Sequence, residues 1–98
     1  MELNKEIILA TIRNDLPALE KKYGVTSIGL FGSFVKNKQT AESDIDFFVE
    51  LKEPLANNFF GLWDYLEKKL NHKIDIVRKG EHLRKTFINT IEKEIVYA

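Results

Sequence analysis

The sequence predicts an α/β fold in which helices shelter a three-stranded sheet, and three observations carry that reading. Apolar residues recur at three- and four-residue steps within 4–23, 57–70 and 82–94, the spacing of one face of a helix. Between these segments lie three short apolar or β-branched runs, VTSIGLF, SDIDFFVEL and KIDIVRKG, bounded by glycine, proline or polar residues. With a helical turn after Ser33, the order becomes α-β-α-β-α-β-α, which layers helices on a small sheet.

The first helical stretch places Ile8, Ile12, Leu16, Leu19 and Tyr23 on one side. Pro17 removes a backbone donor and disfavours helix at Leu16. A kink is therefore expected, or two short helices with Asp15 capping the second. Gly24 stops the segment, and 25–31 is the first strand. A short turn opens at Ser33, KNKQTAE is a polar loop, and 43–51 is the second strand. Glu53, Pro54, Asn57 and Asn58 form a break. The next helix, 57–70, carries Phe59, Leu62, Trp63, Leu66 and Leu70 on its apolar side, where Trp63 serves packing. The third strand ends at Gly80. The last helix, 82–94, leads a stripe of Leu83, Phe87, Ile88, Ile91 and Ile95.

Ninety-eight residues with 44% hydrophobic content are read as one domain, 1–98, with a modest core. Lysine plus arginine and aspartate plus glutamate both number 15, so the formal net charge is zero. That balance argues against a broad polyanion-binding surface, and no direct DNA binding is expected. There is no cysteine, which excludes disulfides and thiolate metal sites. No signal-type segment and no run of about 20 apolar residues is present, so a soluble, cytoplasmic protein without membrane attachment is expected.

Side chains alternate along a strand, so Ile45, Phe47 and Val49 point one way and Asp44, Asp46 and Phe48 the other. Asp75 stands between Ile74 and Ile76 in the third strand. If the two strands are neighbours, three carboxylates converge at one end of the sheet. Two like charges about 4 Å apart repel by roughly 4 kcal/mol at an effective dielectric near 20. Either one carboxylate takes up a proton or a cation sits among them, and oxygen-only ligands suit Mg²⁺ shared with substrate phosphates. Two such ions can clamp the attacking and leaving oxygens of a phosphoryl transfer. The plainer reading is a pair of edge-strand aspartates facing water; Asp75 weighs against it. Gly32 and Ser33, at the end of the first strand, let backbone N–H groups approach a phosphate, although an ordinary N-cap serine after a turn glycine has the same sequence.

Gly32-Ser33, the ten residues Phe34 to Ser43, and then Asp44-Ile45-Asp46 resemble the signature of the minimal nucleotidyltransferase domains of the DNA polymerase β superfamily. YGVTSIGLFGS, SDIDFFVEL, KIDIV and the closing IEKEIVYA extend the likeness over nearly the whole chain. The resemblance implies that family's fold, a mixed sheet of three strands or slightly more with helices packed on it. It implies that Asp44 and Asp46 ligate two Mg²⁺ ions, and that Asp75 binds the catalytic ion and helps activate a hydroxyl. Gly32 and Ser33 would hold the triphosphate of ATP, with Lys36 nearby.

The reaction so implied is transfer of AMP to an acceptor hydroxyl with release of pyrophosphate. In the antitoxin group of this family the acceptor is a tyrosine of a partner HEPN-domain toxin, an RNase. Three residues depart from the pattern. Where Ala-Arg-Gly commonly follows Gly-Ser-x, this chain has Val35-Lys36-Asn37; Lys36 keeps a charge but lacks the arginine fork, and Asn37 adopts a left-handed angle less easily than glycine. The competing functions are an antitoxin that neutralises by binding alone, and a nucleotidyltransferase acting on a small molecule or an RNA end. His72 and His82 lack ligand spacing and are read as surface or helix-end residues. The basic segments 68–70 and 78–85 are read as a solvated face.

Overall fold

The computed structural model describes residues 2–98. Helix α1 (Lys5–Tyr23) opens at Asn4, whose side chain accepts a hydrogen bond from the Ile7 N–H, and closes at Gly24 with φ 71°. Strands β1 (Val25–Phe31) and β2 (Ile45–Leu51) follow, then α2 (Ala56–Leu70), β3 (Ile74–Arg78), α3 (Lys85–Glu92) and β4 (Val96–Tyr97). The sheet is mixed, in the order β3-β2-β1-β4. β2 runs antiparallel to β1 and parallel to β3, and β4 pairs antiparallel with β1.

One face of this sheet makes the core. Ile28 and Leu30 of β1, Ile45, Phe47 and Val49 of β2, and Ile74 and Ile76 of β3 pack there with Ile8, Ile12 and Leu19 of α1 and Leu62, Leu66 and Leu70 of α2. Trp63 packs against this cluster, edge-on to Phe59. Phe48 points to the opposite face and is also buried. That second face is partly covered: a β-carbon on Gly29 would lie 2.6 Å from the Ile95 side chain just beyond α3.

Three expectations are corrected. α1 is one continuous helix through Pro17. Proline frees the carbonyl four residues back, that of Arg13; both residues are exposed, and a freed carbonyl at the surface costs little because solvent can bond to it. Asp15 is not a cap: it is buried, accepts a 2.7 Å hydrogen bond from the Tyr65 hydroxyl and lies 3.5 Å from Lys69 Nζ. The segment after Ser33 is a series of turns rather than a helix. A fourth, two-residue strand closes the sheet, within the three strands or slightly more that the family resemblance implies. The segment after α3, with Ile95 against Gly29, covers part of the other sheet face. Of the α3 stripe only Ile91 is buried, and Phe87 is 41% exposed. Among the described residues no helix is long and apolar enough to cross a membrane.

Candidate active site

β1 ends where its last pair, Phe31 with Asp46, stops the ladder. Gly32 then takes φ 81°, a left-handed angle natural to glycine. Its carbonyl accepts from the Val35 and Lys36 N–H groups at 3.1 and 3.3 Å, and the Ser33 carbonyl accepts from Lys38 at 2.9 Å. These bonds curl the chain back on itself. Asn37 supplies a second left-handed residue, φ 57°, as asparagine does more readily than most. Among the described residues the N–H groups of Ser33 and Phe34 meet no protein acceptor. Successive free N–H groups in a tight turn make a concavity suited to an anion.

β2 brings the carboxylates to this turn. Asp46 is the register partner of Phe31 on one side and of Asp75 on the other. Neighbouring residues of paired strands share a face about 4.8 Å apart, so Asp46 and Asp75 stand side by side; Asp44, one residue before the strand, continues the alternation. The Asp46 carboxylate lies directly over Gly32, where a β-carbon would collide with its Oδ2. Five of the six sequence-predicted site residues, Gly32, Ser33, Asp44, Asp46 and Asp75, thus meet at one end of one sheet face.

The electrostatics follow from that crowding. Burial, then the negative charges of Asp75, Asp44 and Glu94, push the Asp46 carboxyl up to about 6 from its ordinary 3.8. Burial comes first because Asp46 sits beside Phe31, itself edge-on to Phe48 at a centroid distance of 6.5 Å. The expected convergence is partial. Among the described residues no group of three or more His, Asp or Glu is close enough to hold a metal ion by itself. Like charges keep apart, and Asp46 turns onto Gly32. The donor chemistry still fits Mg²⁺, which takes one or two carboxylates and completes its shell with water and phosphate.

The sixth predicted residue, Lys36, is paired with a carboxylate: its Nζ lies 3.1 Å from Glu94 Oε2. Glu94 is the site residue that sequence reasoning missed. It lies beyond α3 in the chain, and no spacing rule links it to the aspartates. His72 has more to do than expected of a helix-end residue. Its Nε2 donates a 2.7 Å hydrogen bond to the Ser43 carbonyl, and its ring meets Phe34 edge-on. It therefore pins the entry to Asp44 against the turn that follows Ser33.

Comparison with known proteins agrees with this geometry. The nucleotidyltransferase domain family matches residues 11–98. A Methanocaldococcus jannaschii protein, provisionally described as a protein adenylyltransferase, is 41% identical over 87 residues, covering 88% of this chain and 89% of its own length. The protein adenylyltransferase MntA of Thermococcus cleftensis is 36% identical over 80 residues, covering 81% of this chain and 80% of its own. Among solved structures, a protein provisionally described as a minimal nucleotidyltransferase superposes with a TM-score of 0.79 at 23% identity, over 97% of this chain and 96% of its own. A toxin–antitoxin structure with AMP-PNP gives 0.67 at 23% identity, over 86% of this chain and 69% of its own. Both structures share the fold.

Proposed function

Because the chain belongs to the nucleotidyltransferase domain family, we propose that it is a protein adenylyltransferase, moving AMP from ATP to a hydroxyl of a partner protein. The observation that carries this reading is the meeting of the Gly32-Ser33 turn with Asp46 and Asp75, paired in register, at one end of one face. The sequence likeness to protein adenylyltransferases, 36% to the Thermococcus cleftensis protein, supports protein as the acceptor. The fold it shares with toxin–antitoxin structures supports a toxin as that partner; from the family resemblance we take it to be of the HEPN type, with tyrosine as the acceptor.

In this reading the free N–H groups of Ser33 and Phe34 would donate to the triphosphate oxygens and orient the α-phosphate toward the sheet. Asp44 and Asp46 would hold Mg²⁺, and Asp75 would complete the site on the acceptor side. The bound ion would supply charge neutralisation along the phosphates. Asp75, the exposed carboxylate of the three, would take the proton of an entering hydroxyl. The hydroxyl oxygen forms a bond to the α-phosphorus, the bond to the bridging oxygen breaks, and pyrophosphate leaves. The acceptor comes from another chain.

The test is to incubate the protein with a HEPN-type toxin, Mg²⁺ and ATP, then record the intact mass of the toxin. Increments of one AMP are expected on a tyrosine. An unchanged mass with ATP bound would overturn protein adenylylation.

A further inference from the structure

The Lys36–Glu94 pair has features of a contact made to be exchanged. Glu94 is held on rigid backbone: its N–H donates to the Ile91 carbonyl at 3.0 Å, that of Ile95 donates to the same oxygen at 2.8 Å, and Ile95 packs on Gly29. Lys36 stands on the turn that follows Gly32-Ser33, at the end of a flexible four-carbon stem. The side chain of Glu94 is 20% exposed and that of Lys36 54%. Glu94 Oε2 is buried with no hydrogen bond, although the ammonium lies 3.1 Å away. The pair is therefore in Coulombic contact without directional bonding. Glu94 also lies at the edge of the site: β4 pairs antiparallel with β1, Leu30 opposite Val96, so the chain two residues before Val96 reaches the end of β1 near Gly32.

We propose that Glu94 is a positioning residue that holds the Lys36 ammonium at the rim of the site and yields it to the phosphates of an incoming nucleoside triphosphate. This rests on the nucleotide site proposed above. A phosphate chain seated on the Ser33–Phe34 turn brings several oxygens within reach of the same point charge, which has three donors to give. Glu94 then competes with the nucleotide for Lys36. Its carboxylate keeps the cation oriented while the site is empty and weakens binding by the strength of the pair.

The experiment is a calorimetric double-mutant cycle on the full chain with Mg²⁺ and a non-hydrolysable ATP analogue, using wild type, Glu94→Gln, Lys36→Met and the double variant. Glu94→Gln should bind about two- to five-fold more tightly, the range open to a partly exposed ion pair. In the Lys36→Met background the same change should have no effect, and Lys36→Arg should restore it. Thermal melts of each variant check folding. Equal tightening in both backgrounds would make Glu94 a simple repulsive charge, and unchanged affinity would give it no role; either overturns the proposal while leaving the nucleotide site intact. A wild type that does not bind the analogue would overturn the site and the proposal together.

Discussion

The carboxylate of Asp46 occupies the space that a side chain at Gly32 would fill. The glycine of the Gly-Ser pair is thus required twice, once for its left-handed φ of 81° and once for the aspartate above it. Gly32→Ala should cost about 1–2 kcal/mol from backbone strain alone and more from displacing Asp46. In an Asp46→Ala background the second part should vanish. Urea unfolding of the four proteins measures the difference; equal penalties in both backgrounds would show that the glycine does not make room for the carboxylate.

Asp46 sits among like charges, and the pH dependence of stability should report it. Its folded carboxyl titrates at about 6 against an ordinary 3.8, raised by burial and by Asp75, Asp44 and Glu94. Between those values the folded state keeps a proton that the unfolded chain has lost, so stability falls as pH rises through the window and levels off above it. The size is about 1–2 kcal/mol once the shift is discounted for the partial exposure of the side chain. In chelator, Asp46→Asn should melt above wild type at pH 7.5, and the gap should close toward pH 4. A gap that is absent, or that widens on acidification, refutes the assignment.

Away from the site, Asp15 and Tyr65 join α1 to α2. Asp15 is buried and accepts from the Tyr65 hydroxyl at 2.7 Å, a bond that holds the phenol above its ordinary pKa. Tyr65→Phe should cost about 1–3 kcal/mol, as expected for a hydrogen bond to a charged group. Alkaline absorbance titration should lose one late-titrating tyrosine. A cost below about 0.5 kcal/mol would mean that Lys69, 3.5 Å from Asp15 Oδ2, satisfies the carboxylate alone.

The residues that position the site were legible where their signals are local. Alternation in IDFFVEL gave β2 its two faces, and the register of Asp46 with Asp75 followed once β3 was its neighbour. What failed to show was long-range or compensated. Pro17 reads as a break because its local cost is plain, whereas the exposure of Arg13 that offsets it is a property of the folded chain. Asp15 resembled a cap because its partner, Tyr65, lies on another helix. Glu94 carries no local signature, and only the packing of Ile95 on Gly29 brings it beside Lys36. The α3 stripe promised a buried helix, but its buried contact narrows to Ile91.

The last prediction separates transfer from binding. Asp44 and Asp46 would hold the ion that bridges the phosphates, so replacing both by asparagine removes its anionic ligands while keeping side-chain size. Neither side chain belongs to the hydrophobic core, and relief of the charge crowding around Asp46 favours the fold. The Asp44→Asn, Asp46→Asn variant should therefore melt no lower than wild type in chelator. It should still bind a HEPN-type toxin, because a surface contact between chains does not require these carboxylates. Its AMP transfer should fall by at least about 100- to 1000-fold, the scale of losing one preorganised electrostatic group in a transition state. Pull-down reads the binding and intact mass reads the transfer. If the variant binds the toxin, leaves its mass unchanged and still silences its RNase activity as well as wild type does, neutralisation proceeds by occlusion. The carboxylate cluster would then have no part in it.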